Sequence, residues 1–162
     1  VKTTVRVDGL RELDAALGAL AEEYGKAAGK AVLRRVADQA LQPMAEAARQ
    51  LAPDDPDTQG RDLRASIAVG GKLTKRQAAI ARKDQNKATV TRYMGTADVA
   101  GVPQEFGTVN HGPQAFMRPA FDQHALGAID IVAKELGPEI EKTAARIAKR
   151  RAAKAAKAAG AG

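Results

Sequence analysis

The sequence predicts a small α+β protein, and three observations carry that prediction. Large apolar residues recur at three- and four-residue steps in three separate stretches, which is the spacing of amphipathic helices. Three short β-branched or apolar runs, at 2–7, 63–69 and 88–94, are bounded by turn residues and read as strands. The chain has 162 residues, one domain of ordinary size, and its 28% charged content is too high for a membrane protein.

Taken in order, residues 2–7 (KTTVRV) alternate as a first strand, and Asp8-Gly9 ends it and offers a helix cap. Leu10, Leu13, Leu17, Leu20 and Tyr24 then share one helical face, with Arg11, Glu12, Glu22 and Glu23 on the wet side. Gly25 and Gly29 loosen the pattern, which resumes as Leu33, Val36, Ala40, Leu41, Met44, Ala47, Ala48 and Leu51 in a longer second helix. Pro43 lies inside it, so a kink or a restart is expected there. The Pro-, Asp- and Gly-rich residues 52–62 form a loop. The runs at 63–69 and 88–94 should pair antiparallel, with Gly70-Gly71 and Gly95 as stops. Between them, 72–87 is basic and poor in large apolar residues, either an excursion of the hairpin or a disordered loop. Residues 99–120 are too apolar for a free loop and too irregular for a long element, which predicts a docked segment. From about Pro119 a last stripe (Leu126, Ile129, Val132, Leu136, Ile140, Ile147) marks a helix, broken or bent at Gly137-Pro138. The Ala/Lys-rich residues 148–162 have helix propensity but no face to bury, so they form an exposed helical extension or a frayed end.

Half of the apolar residues are Ala, and Leu, Ile, Val and Phe together make only about 19% of the chain, a thin supply for a core. Neighbours in an assembly would add the missing burial. The absence of Cys excludes disulfides and thiolate chemistry. The net charge of +7 is concentrated in two places, 146–157 with six bases and no acid, and 72–87 with six bases and Asp84. The rest of the chain is mildly acidic, so contact with polyanions is expected to be local. No apolar run is long enough to span a bilayer, and the first residues carry no secretory core, so no membrane role is expected.

Catalytic and metal-binding patterns are weak. Asp55-x-Asp57-x-Gln59-Gly60 begins like a calcium loop, but the twelfth position, which needs a bidentate Glu, is Ser66; a turn with solvated carboxylates is the better reading. His111 and His124 stand apart, without the spacing of metal ligands. No phosphate-cradling glycine motif occurs. Glu105 beside Phe106 reads as an acid that forms an ion pair at an interface. The basic tail suits salt-sensitive phosphate binding without base readout. It resembles the tails of nucleoid-associated proteins, which gives the alternative function: a nucleoid-type, sequence-independent DNA-binding protein.

Two segments resemble a known family. The first strand ending in DGL, two helices running into Leu51-Ala52-Pro53, and then Thr58-x-Gly60-x-x-Leu63-Arg64-x-Ser66-Ile67 are similar to the AP-x-DTG-x-L-x-x-SI pattern of phage tail-completion, or head–tail joining, proteins. Glu105-Phe106-Gly107-Thr108, a spacer and Phe116-Met117-Arg118-Pro119-Ala120 resemble the same family's EFGT…PFLRPA signature. The likeness covers roughly residues 3–136. It departs from the pattern at Asp54-Asp55-Pro56, which lengthens a loop, at the inserted Gln59, and at Ala115.

The resemblance implies helices packed on a small, mainly antiparallel sheet in a single domain over 1–147, with 72–87 a basic loop insertion and 148–162 an added tail. It further implies a non-enzymatic virion protein without cofactors, assembled in the host cytoplasm. Such a protein sits at the head–tail interface of a long-tailed double-stranded-DNA phage as a homo-oligomeric, hexameric ring. Its expected partners are the neck or connector protein, the tail tube or tail terminator protein, and packaged DNA through non-specific contact. On this reading Glu105, Thr108, Arg118, Arg146, Lys149, Arg150 and Arg151 meet partners. Phe106, Gly107, Phe116 and Pro119 form a structural latch that docks on the sheet and launches the last helix, and wherever a phenylalanine of it is buried, truncation to Ala should cost about 3–5 kcal/mol. Arg118, a cation at a helix start, should be held there by a carboxylate or carbonyls.

Overall fold

A computed structural model describes residues 10–53, 62–84 and 89–159. The expected first strand and most of the 52–62 loop, including the calcium-like motif, lie outside the described residues. Those described are mostly helical with one small antiparallel sheet, compatible with α+β: α1 (Leu10–Tyr24), α2 (Lys26–Leu51), α3 (Leu63–Ser66), β1 (Ile67–Gly70), α4 (Lys75–Asp84), β2 (Tyr93–Thr96), α5 (Gly101–Phe106) and α6 (Met117–Ala159). They gather into two compact units, and α2 and α6 each contribute residues to both.

One unit takes its described residues from 10–36 and 131–159. Leu13, Leu17, Leu20 and Tyr24, the stripe read from the sequence, pack with Val32, Leu33 and Val36 of α2 and with Val132, Leu136 and Ile140 of α6. Gly25, with φ of +91°, separates α1 from α2 in a backbone region that suits glycine. Gly29 is simply helical, and so are Gly137 and Pro138, which do not break α6. Leu136 and Ile140 are buried on either side of that proline, and their packing keeps the helix continuous across one missing hydrogen bond. The unit also buries charge. Glu139 is ion-paired with Arg35, whose Nη2 donates to the buried Thr143 hydroxyl, and Arg146 Nη2 lies 3.7 Å from the same carboxylate.

The second unit takes its described residues from 37–130. β1 and β2 pair antiparallel, with Ile67 opposite Thr96, Ala68 opposite Gly95, Val69 opposite Met94 and Gly70 opposite Tyr93. Alternation sends Ile67, Val69 and Met94 to one face, where they join Met44, Ala45 and Ala48 of α2, Leu63 of α3, and Phe116 and Ala120 around the start of α6. The sheet is thus packed on helices. Ala45, Ala48 and Ala120 are fully buried, so alanine, discounted as core material in the sequence, lets the backbones approach and lines the core. Pro43 causes no restart, because α2 runs through it to Leu51.

Several boundaries differ from the sequence reading. The strand expected over 63–69 begins as a turn of helix capped by Asp62, whose Oδ1 accepts from Arg64 N at 2.9 Å, and becomes extended only at Ile67. β2 runs on past Gly95, since Ala68 opposite it keeps the ladder paired. The basic loop expected at 72–87 holds a helix, α4. Its start is a capping box: Gln77 N donates to Thr74 Oγ1 at 3.3 Å, and Thr74 N donates to Gln77 Oε1 at 3.0 Å. The last helix begins at Met117, two residues before Pro119.

Candidate interaction surfaces

Two carboxylates, those of Asp98 and Glu105, tie down the segment 99–120. Asp98 and Thr96 form the turn into α5: Asp98 N donates to Thr96 Oγ1, and Ala100 N to Asp98 Oδ1. A Cβ on Gly101 would lie 2.2 Å from Thr96 Cγ2, so only glycine lets α5 approach β2 this closely. One turn later on the same face, Glu105 is buried, and its carboxylate reaches the start of α6. Oε2 accepts from the N–H groups of Phe116 and Met117, each at 2.8 Å, and Oε1 accepts from Arg118 N at 3.2 Å. An α-helix begins with four N–H groups that lack intrahelical partners. Glu105 satisfies three, and Pro119, which has no N–H, removes the fourth donor.

Arg118 completes this closure. Its Nε donates to Glu105 Oε1 and its Nη2 to the Glu105 carbonyl oxygen, both at 2.8 Å, so it has the carboxylate and the carbonyl that a cation at a helix start needs. Burial pushes the Glu105 carboxyl pKa up, but the hydrogen bonds from Met117, Phe116 and Arg118 outweigh it and hold the group below its ordinary 4.5. Glu105 therefore acts within the fold, not across an interface as its sequence neighbourhood suggested. The signal for this role was a lone acid twelve residues upstream of a helix start, beyond the reach of local capping rules.

The latch residues divide. Phe116 is wholly buried. Gly107 has φ of +79°, and a Cβ there would meet the His111 carbonyl oxygen and Pro113 N, each at 2.9 Å. Thr108 is exposed and closes a tight turn with His111. Phe106 is 65% exposed, because the face of α5 that carries Gly101 and Glu105 is the buried one. Arg118 lies over the Phe106 ring, 5.2 Å from its centroid. Val102, one turn before Phe106, is 67% exposed, and Val99 is 92% exposed. Val102 and Phe106, one turn apart on α5, and Val99 in the turn before it thus present apolar side chains to water beside the latch.

A second feature of this unit is a cavity of about 900 Å³ between α4 and the outer face of the sheet, lined by Leu73, Ile80, Tyr93 and the small residues Ala68, Gly70 and Gly95. Its lining holds one charged residue, Lys72, and no acid–base pair. His111 is exposed and His124 half-buried. No three His, Asp or Glu side chains gather as metal ligands among the described residues.

In the other unit, the expected partner residues of the tail are exposed on α6, which stays helical to Ala159. Two of them have internal roles. Arg146 approaches Glu139, and Arg151 donates to the Glu23 carbonyl oxygen at 3.2 Å while lying over Tyr24, 4.8 Å from the ring centroid. Arg151 thereby supplies a cation at the C-terminus of α1, whose last turn holds no basic residue of its own. Comparison with known protein families, curated proteins and solved structures returned no match. No helix among the described residues is long and apolar enough to cross a membrane.

Proposed function

We propose that this chain is a structural head–tail joining protein of a long-tailed double-stranded-DNA phage or prophage-derived particle. Six copies close into a ring around the DNA path, between the neck connector and the tail tube or tail terminator protein. The observation that carries this reading is the coincidence of motif and architecture. The EFGT and FMRPA segments, which resemble the joining-protein signature, supply both ends of the Glu105 latch, and the latch fixes an apolar stripe (Val99, Val102, Phe106) that a lone monomer leaves in water. A stripe that meets a different surface on the next copy makes a heterologous contact, and a closed ring uses every such contact without leaving an unpaired end.

The test is a particle reconstruction paired with a surface variant. Wild-type protein should appear as a six-copy ring at the head–tail junction, and Val99→Asp with Val102→Asp should fold normally yet fail to enter particles. Both side chains are exposed in the monomer, so loss of folding is not expected to confuse the result. Particles that carry no copy at that junction would refute the reading.

A further inference from the structure

The end of α6 carries a feature that neither unit's packing uses. From Lys142 onward the chain contains no Asp or Glu, and residues 148–157 are all exposed on a continuous helix. Of the six bases in 146–157, Arg146 is committed to Glu139 and Arg151 to the end of α1. The other four, Lys149, Arg150, Lys154 and Lys157, make no hydrogen bond or ion pair among the described residues. At about 100° per residue, Arg150, Lys154 and Lys157 fall within an arc of about 60°, with Lys149 on its flank, spread over about 12 Å of helix. Between them stand only alanines and Arg151.

We propose that this stretch of α6 is a docking arm for duplex DNA, which it holds through phosphates with Lys149, Arg150, Lys154 and Lys157. Both polyanions and acidic proteins attract such an array, and the side chains in between decide for DNA. A protein interface is anchored by buried aromatic or large apolar residues, and residues 148–159 contain none. Phosphate contacts need no such anchor, because displaced counterions supply the free energy. An alanine-faced helix is also slim enough for the roughly 12 Å major groove or for close approach to one backbone. The arm has no Asn or Gln to read adenine and no aromatic to stack on bases, and with its four cations engaged by phosphates its binding is expected to be independent of sequence. The inference rests on charge and helical geometry alone and does not depend on the joining role proposed above.

The number of uncommitted cations makes the test quantitative. Fluorescence anisotropy of the full chain on a labelled random-sequence duplex, titrated at several NaCl concentrations, should give a slope of log K against log [NaCl] of about −3.6, from four phosphates at about 0.9 each. That slope corresponds to a loss of about 150-fold in affinity between 50 and 200 mM salt. Substituting all four with Gln should abolish binding at 50 mM salt with the circular dichroism spectrum retained, while neutralising Lys75 and Arg82 of α4 should leave the slope unchanged. Absence of binding at 50 mM salt would overturn the proposal. So would a slope that survives the fourfold variant, or salt-sensitive self-association, seen by sedimentation and lost in that variant, in place of DNA binding.

Discussion

Replacing Glu105 isolates the contribution of one carboxylate to the order of some twenty residues. In Glu105→Ala the N–H groups of Phe116, Met117 and Arg118 lose their acceptor together, and the Arg118 side chain loses its carboxylate partner while keeping the backbone carbonyl of residue 105. A hydrogen bond to a charged acceptor is worth about 1.5–3 kcal/mol, but only the Phe116 donor is deeply enclosed, and water can reach the other two in the space left by truncation. The Arg118 side chain is 58% exposed, so its ion pair contributes less than about 1 kcal/mol after solvent screening. The expected loss is about 3–4 kcal/mol, a large share of the roughly 5–15 kcal/mol that holds a domain together. Glu105→Gln keeps the shape and one acceptor oxygen and should cost about 2 kcal/mol. Urea unfolding followed by circular dichroism measures both. The folded-state pKa of Glu105 lies below its ordinary value, so its stabilisation is complete above pH 4.5 and declines as pH falls through the lowered folded value. Glu105→Gln should remove that part of the acid sensitivity. An alanine variant within about 0.5 kcal/mol of wild type, or an unchanged acid profile in Glu105→Gln, would refute the latch.

The same latch yields a contrast between its two phenylalanines: Phe116→Ala should cost about 3–5 kcal/mol in urea unfolding, and Phe106→Ala no more than about 1, the worth of an exposed cation–π contact. Gly107→Ala combines a positive φ with a Cβ pressed against backbone at 2.9 Å, and should lower stability by about 1–3 kcal/mol, read as a fall in melting temperature. Thr74→Ala breaks the capping box and should cost about 1 kcal/mol, felt only locally, as faster amide exchange over 75–84 with an unchanged global midpoint.

How much of this was legible in the sequence depended on how far apart the cooperating residues lie. The α1 stripe could be read because Leu13, Leu17 and Leu20 carry their own periodicity, and the antiparallel pair because β-branched runs with glycine stops are local. The capping box at Thr74–Gln77 was equally local, but the basic composition around it drew the reading toward a loop. Buried alanines could not be told from surface ones, since a methyl group becomes core only once a neighbouring backbone arrives, as at Ala45, Ala48 and Ala120.

The candidate site shows the same rule at longer range. Three of its four capping groups are ordinary N–H donors that leave no mark in a sequence, and their acceptor, Glu105, is separated from them by a turn and a bridged hairpin of irregular residues. What the sequence did carry was the conflict at Arg118, a cation placed where the helix dipole opposes it. That conflict has to be resolved by an anion or a carbonyl nearby, and Glu105 supplies both from one residue. A local violation of a helix rule thus pointed to the long-range contact that compensates it. Phe106 faces water because the backbone that aims Glu105 inward at the end of α5 sets the next side chain about 100° around the helix, off the buried face that carries Gly101 and Glu105. The exposure of Phe106 is therefore a geometric consequence of the latch, so a mutation that frees Glu105 should disorder the end of α5 before it unfolds the sheet.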